Sequence, residues 1–339
     1  MRYIGSKRQL LSKIESVILD NQFKGNILCD IFAGTGSVGE FFKSNYQIIS
    51  NDFLYFSYCI QRAKIGNNGI PKFSRFIKKY KKNPLDVLDN ISTIEVDPSK
   101  LFIKNNYSDF GGRNYLSTKN AEQIDKWRIS IDNWFKQGDL NEDEYYYLVA
   151  CVVETVPFYS NISGTYGAFL KTWDRRALKP IKLVRLEVLS NNKENTCYNE
   201  NGDELIKKIK GDILYIDPPY NERQYLPNYH LLETVAKYDY PTIKGVTGIR
   251  EYKSQKSAWC NAKTALSSLD AMVKNAKFKY IILSYNTDGI MKEQDIINTM
   301  KKYSKNNECK VYRFPYIRFK SRTLVNNSKL EELMFFVEK

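Results

Sequence analysis

Histidine is almost missing from this chain. Its 339 residues include a single one, His230. A His-ligated metal and a Ser-His-Asp mechanism are therefore excluded unless that one residue serves them. Cysteine is thinly scattered: the six, at positions 29, 59, 151, 197, 260 and 309, form no C-x-x-C pair and no Cys/His cluster with metal-ligand spacing. They read as buried reduced thiols, and no metal is expected. Long apolar runs are lacking too. No stretch approaches the ~20 apolar residues of a membrane helix, and the opening "MRYIGSKRQLL" has no apolar core of a secretory signal. The expectation is a cytoplasmic protein without a membrane partner. Acidic charge is in the minority: 38 Asp and Glu face 52 Lys and Arg, for a net charge of +14. With 14% aromatic residues, this leaves two readings open, a polyanionic partner such as nucleic acid or a basic solubility surface.

What is present is organised. Residues 6–21 put Leu10, Leu11, Ile14, Val17 and Ile18 on one helical face. "ILCDIF" (27–32) reads as a buried strand, Ser37–Lys43 as a helix, "QIISND" (47–52) as a second strand and "FLYFSYCIQRA" as a second helix. This β-α-β start predicts a doubly wound parallel sheet. Between strand and helix, Gly34, Gly36 and Gly39 fit G-x-G-x-x-G, a loop that cradles a nucleoside-bearing cofactor. Glycine spacing alone leaves NAD and other such cofactors open.

The alternation breaks over residues 66–190. That block carries the basic "RFIKKYKK" (75–82), two helical patterns at 120–135 and 141–156, and a polar-aromatic loop, "YSNISGTYGAFLKTWDRRALKP" (159–180). Asn141 and Glu144 form an N-cap pair for the second helix. The block reads as an insertion. Alternation then resumes: strands at 212–216 and 279–286, helices at 228–238 and 293–303, and two terminal antiparallel strands, "CKVYRFPY" and "ELMFFVE".

The tetrad Asp217-Pro218-Pro219-Tyr220 directly follows the apolar strand "ILYI", and ligand sites in open α/β sheets lie at such carboxyl ends. The tetrad suits methylation of an exocyclic adenine N6. The lone pair of that nitrogen is conjugated into the ring, so an acceptor on each N–H assists attack. Asp217 can take one hydrogen and the Pro218 carbonyl the other, and both help most as positive charge develops on N6. Pro219 stiffens the turn, and Tyr220 can stack on the base. The base must first leave the duplex.

"DIFAGTGSVG" together with "DPPY", and "YIGSK" at 3–7, resembles the AdoMet-dependent amino-group DNA methyltransferases. The order of AdoMet motif, long insertion and DPPY resembles the Dam-type alpha group of adenine-N6 enzymes. "DPPYNERQYLPNYHLLETVAKYD" and "GAFLKTWDRRALKP" are similar to the methyltransferases of FokI-type restriction–modification systems. The resemblance implies a Rossmann-like α/β methyltransferase fold, discontinuous over 1–65 and 191–339, with a mainly helical target-recognition insertion over 66–190. It implies S-adenosyl-L-methionine as cofactor, cradled by Asp30, Phe32, Ala33, Gly34 and Gly36. Tyr3 and Lys7 would lie near its methionine end, Asp52 on its ribose, Asn201 (with Asp203 close by) on its adenine, and Asp217 beside both cofactor and base. It implies double-stranded DNA as substrate, an accompanying restriction endonuclease, and a second methyltransferase if the site is asymmetric. The resemblance also implies that transfer is a direct displacement needing no metal and no enzyme nucleophile. Cytosine-C5 enzymes, by contrast, need a cysteine beside a proline, and no Pro-Cys occurs.

In the resembled group the segment between the cofactor motif and DPPY reads the target; residues 66–190 fit that place by position and charge, with Lys171, Trp173, Arg175 and Arg176 in the loop expected on DNA. Arg318, Lys320 and Arg322 alternate on one face of a late segment and either border the DNA or protect a sheet edge. Three other readings stay open at this stage: an RNA adenine methyltransferase, an NAD-dependent oxidoreductase that leaves DPPY unexplained, and a non-catalytic DNA-binding protein.

Overall fold

The computed structural model describes residues 5, 7–91, 95–315 and 331–339. Tyr3, Arg318, Lys320 and Arg322 lie outside the described residues. In chain order the elements are α1 (Leu11–Asp20), β1 (Ile27–Asp30), α2 (Ser37–Phe42), β2 (Gln47–Asn51), α3 (Tyr55–Gln61), α4 (Ser74–Tyr80), α5 (Pro84–Asp89), α6 (Phe102–Tyr107), α7 (Thr118–Lys136), α8 (Glu142–Thr155), β3 (Thr196–Tyr198), α9 (Gly202–Leu205), β4 (Lys210–Ile216), α10 (Leu226–Lys237), β5 (Ile243–Lys244), β6 (Ile249–Arg250), α11 (Ala265–Asn275), β7 (Lys277–Asn286), α12 (Glu293–Lys301), β8 (Lys310–Pro315) and β9 (Glu331–Glu338). They divide into two units. One comprises Ser6–Phe53, Glu194–Gln224 and Lys256–Lys339, and the other Met1–Gly5, Leu54–Lys193 and Tyr225–Gln255.

The first unit holds a seven-stranded sheet in the order β3-β2-β1-β4-β7-β9-β8. β3, β2, β1, β4 and β7 pair in parallel, and β9 runs antiparallel between β7 and β8. This is the expected doubly wound α/β sheet with its two late antiparallel strands. The runs "ILCD", "ILYI" and "YIILSY" are apolar without alternation because both faces of a parallel sheet are covered. Cys29, Leu214, Ile216, Ile281 and Leu283 pack with Leu269, Met272 and Val273 of α11 and with Ile296 and Met300 of α12. Strand order reverses between β1 and β4. Asp30 stands opposite Tyr215 in the register, so the ends of β1 and β4 flank the crevice where such sheets bind ligands.

The second unit is mainly helical. Its core gathers Trp127 and Ile131 of α7, Tyr147, Leu148, Cys151 and Val152 of α8, Phe56 of α3, and Leu231, Leu232 and Val235 of α10. The expected N-cap pair of α8 forms: Asn141 Oδ1 accepts from Glu144 N at 2.9 Å and Glu144 Oε2 from Asn141 N at 3.0 Å.

The unit boundaries differ from those expected at 66 and 190, because α3 and residues 225–255 also pack here. Specific bonds account for this. Glu233 of α10 accepts from the first backbone amides of α3, Tyr55 N at 3.2 Å and Phe56 N at 3.0 Å. Buried Arg128 of α7 donates to Val235 O at 2.8 Å. An apolar helix such as α10 looks the same in sequence whichever core it joins. Among the described residues, no helix is long and apolar enough to cross a membrane.

Candidate active site

Beyond Asp30 the chain of the sheet unit turns sharply. Gly34 and Gly36 take φ values of +53° and +78°, the left-handed region that favours glycine. Ala33 N donates to Asn51 O at 2.8 Å and Gly34 N to Asp52 Oδ2 at 2.8 Å. The glycine loop is thus fastened to the end of β2, and the Asp52 carboxylate is held against it. Asn51 fastens a third turn: its Nδ2 donates to Ile31 O at 3.0 Å and Glu200 O at 3.1 Å, and its Oδ1 accepts from Glu200 N at 3.0 Å. One buried side chain therefore aligns the turns after β1, β2 and β3.

The turn after β3 brings up Asn201, whose Oδ1 caps α9 by accepting from Asp203 N at 2.9 Å. Asp203 accepts from Trp259 Nε1 at 2.9 Å. The Trp259 ring meets Phe32 edge-on at a centroid distance of 5.3 Å. A Cβ on Gly202 would stand 3.2 Å from the Phe32 ring, so glycine lets this turn approach Phe32 closely. Phe32, Asn201 and Asp203 thus stand together beside the glycine loop.

The tetrad sits where β4 ends. The Tyr220 carbonyl accepts from Ile290 N at 3.1 Å, and its ring packs half-buried on the sheet core. Asp217 Oδ1 is 3.0 Å from Lys7 Nζ, and Lys7 Nζ is 2.6 Å from Glu332 Oε1 on β9. Ser284 Oγ of β7 donates to the same Glu332 oxygen at 2.6 Å. Asp217 is 17% exposed on its side chain, while Lys7 and Glu332 are buried.

Two carboxylates, Asp217 and Glu332, thus share one ammonium, and buried Asp30 adds a third acid that interacts electrostatically with Asp217. Burial pushes the Asp217 carboxyl up to about 7; Lys7 opposes this and Glu332 adds to it. For Lys7, burial favours loss of the proton, but the two carboxylates outweigh it and the group is raised. Asp30 is raised well above the usual carboxylate range by burial and by Asp217 and Asp52, against the Phe32 backbone amide and Lys7. Its Oδ1 is buried without a hydrogen-bond partner. An orphaned acceptor in a surplus of carboxylate suits a ligand that brings positive charge and N–H donors. AdoMet, with its sulfonium and ammonium groups, is such a ligand. Among the described residues, no group of three His, Cys, Asp or Glu side chains could hold a metal ion.

The remaining expected residues belong to the helical unit. Lys171, Arg175 and Arg176 are exposed and Trp173 is half-buried in the 159–180 loop. Buried Asn161 organises that loop: its Nδ2 donates to Asn114 O and Leu170 O, both at 3.0 Å, and its Oδ1 accepts from Asp174 N at 2.9 Å. Arg176 is partly engaged, donating to Ser160 O at 3.3 Å. Lys79 of the basic stretch pairs with Asp139 at 2.7 Å.

His230 is fully buried and donates from Nε2 to Tyr166 O at 2.8 Å. Burial lowers its pKa to about 4, which makes it a neutral structural group. Asn51, Ser284, Glu332 and Asn161 were not singled out from the sequence. The one available signal was a glutamate inside the otherwise apolar "ELMFFV", where a buried charge demands a partner.

A sequence model of the family described as D12 class N6 adenine-specific DNA methyltransferase matches residues 3–323. The chain is 45% identical to Type II methyltransferase M.FokI of Planomicrobium okeanokoites over 342 residues, which cover 100% of this chain and 53% of that protein. It is 41% identical to Modification methylase StsI of Streptococcus sanguinis, over 100% of this chain and 52% of that protein. It is 36% identical to Type II methyltransferase M.NlaIII of Neisseria lactamica, over 98% of each. The chain thus spans about half the length of the first two relatives and nearly all of the third.

Proposed function

Because this chain belongs to the D12 class of N6 adenine-specific DNA methyltransferases, we propose that it methylates N6 of an adenine at a specific sequence in duplex DNA, as the modification half of a restriction–modification system. The observation that carries this reading is the Asp217 carboxylate at the end of β4, held between Lys7 and the crevice beside β1. When bound, AdoMet would supply a methyl group activated on its sulfonium, with the neutral thioether as leaving group and no need of a metal or an enzyme nucleophile. Asp217 accepts one N6–H and the Pro218 carbonyl the other. As the N–CH3 bond forms, N6 loses a proton along the Asp217 bond, so the carboxylate must be ionised when attack begins. Tyr220 stacks on the base, which has to be out of the duplex to reach the turn.

Lys7 holds Asp217 in place, and Glu332 keeps Lys7 from neutralising it fully. Asp30 and the glycine loop hold the cofactor, Asp52 takes its ribose hydroxyls, and Phe32 with Asn201 flanks its adenine. The helical unit is the reader of the target, with Lys171, Trp173, Arg175 and Arg176 on the DNA. A cognate endonuclease, and a second methyltransferase for the other strand of an asymmetric site, complete the proposal.

The test uses labelled AdoMet with the purified 339-residue chain and duplex DNA of broad sequence. Label is expected on adenine N6, and Asp217→Ala should lower transfer by at least about a thousandfold. Duplex DNA that stays unlabelled, or structured RNA labelled in its place, overturns the reading.

A further inference from the structure

The hairpin β5–β6 plays no part so far. Each of its strands has only two residues, and so short a ribbon is marginal by itself in water. This one is clamped from outside. Arg113 donates from Nε to Val246 O at 3.0 Å, from Nη2 to Gly245 O at 3.2 Å, and from Nη1 to Asn106 O at 3.1 Å. Tyr107 donates to Gly248 O at 2.7 Å. Gly248 has φ of +67°, and a Cβ there would stand 2.9 Å from Arg113 Nε, so the clamp requires glycine. An arginine, a tyrosine and a glycine thus fix a tip whose one apolar side chain, Val246, is 80% exposed.

Two cations flank the tip, and the Glu251 carboxylate is near enough to Lys244 to interact with it electrostatically. Lys244 is exposed beside Val246 and the Arg113 guanidinium lies behind it; among the described residues no carboxylate forms an ion pair with either. The hairpin is also joined to the 159–180 loop. The Tyr115 hydroxyl lies 2.7 Å from Tyr166 O and 3.2 Å from Thr247 O, sharing its one proton between them. His230 donates to the same Tyr166 carbonyl. One buried node therefore fixes hairpin and loop together.

We infer that residues 244–247 enter a groove of the target duplex, where Val246 makes an apolar contact with a base edge and Lys244 meets a phosphate. The inference rests on the proposed DNA substrate and names a reading element for it. B-DNA's major groove, about 12 Å wide, admits a two-stranded ribbon, and an aliphatic side chain there senses the thymine methyl. A lone valine with two cations is far smaller than the roughly 800 Å² per partner of a stable protein interface. Rigidity serves the same end, since a clamped tip is already ordered before it binds.

The experiment compares wild type, Val246→Asn and Lys244→Ala as full chains. Melting temperature, AdoMet affinity, kcat, the KM for DNA and the sequences methylated are measured. Both side chains are exposed, so melting and AdoMet affinity should not change. Val246→Asn, a neutral change, should raise the DNA KM about tenfold and alter the preference at one base pair. Lys244→Ala should weaken all sequences alike and reduce the salt slope of DNA affinity by about 1. A Val246→Asn enzyme within twofold of wild type in KM and preference overturns the inference, whatever Lys244→Ala does. A wild type that methylates no duplex DNA overturns the underlying reading as well, and the two failures are told apart by that control.

Discussion

Asp217 must be a carboxylate to accept an N–H, yet burial and Glu332 raise its pKa to about 7. Below that pH the folded, ligand-free protein holds a proton on it. The value of kcat/KM should therefore rise with pH to a midpoint near 7 and level off above it, because this profile reports the free enzyme. In kcat the midpoint should lie lower, since a positive ligand beside Asp217 favours its charged form. Glu332→Gln removes a like charge and frees Lys7 for Asp217, so its midpoint should move to lower pH. Lys7→Gln removes the opposing cation and should move it higher. A wild-type midpoint near 4, the ordinary carboxylate range, or shifts of the opposite sign would contradict this account. Sequence disclosed Lys7 and Asp217 because each sits in a short motif. It did not disclose Glu332, whose role exists only because β9 lies beside β7, and no local pattern encodes that pairing.

At the scale of elements, what was legible followed local rules. The glycine loop, the apolar strand ahead of DPPY and the Asn141/Glu144 cap are each specified within a few residues. The less legible features are those set by distant partners. Asn51 looked like an ordinary residue near the end of a strand expected over 47–52, and it proves to align three turns. α10 follows the DPPY strand yet packs with the helices, because Glu233 caps α3.

Asn161 is a similar case and gives an element-scale expectation. Asn161→Ala leaves Asp174 N and the carbonyls of Asn114 and Leu170 without their partner. The cost should be about 1–3 kcal/mol of stability, seen as a lower denaturation midpoint. The loop bearing Lys171, Arg175 and Arg176 would also loosen, so the DNA KM should rise while AdoMet affinity holds. Loss of AdoMet affinity instead would place Asn161 in a different role.

For the whole molecule the decisive quantity is charge. A protein of net charge +14 that binds a polyanion releases counterions when it does so, and its DNA affinity should fall steeply with salt. Between about 50 and 200 mM salt the DNA KM should rise about tenfold or more, with AdoMet affinity nearly constant. A flat response would assign the basic surplus to solubility, the alternative that composition left open.

The Lys7–Glu332 pair has a further consequence. The two positions stand 325 apart in sequence, and β8 gains its sheet neighbour only when β9 slots in beside it. A chain emerging from the ribosome displays the glycine loop and later the DPPY turn long before Glu332 exists. During that interval Lys7 has Asp217 without its rival, and the methylating acid lacks its final electrostatic setting. Competence thus arrives only once β9 has been made, and a chain not yet extended that far carries the recognisable motifs before it has the tuned chemistry.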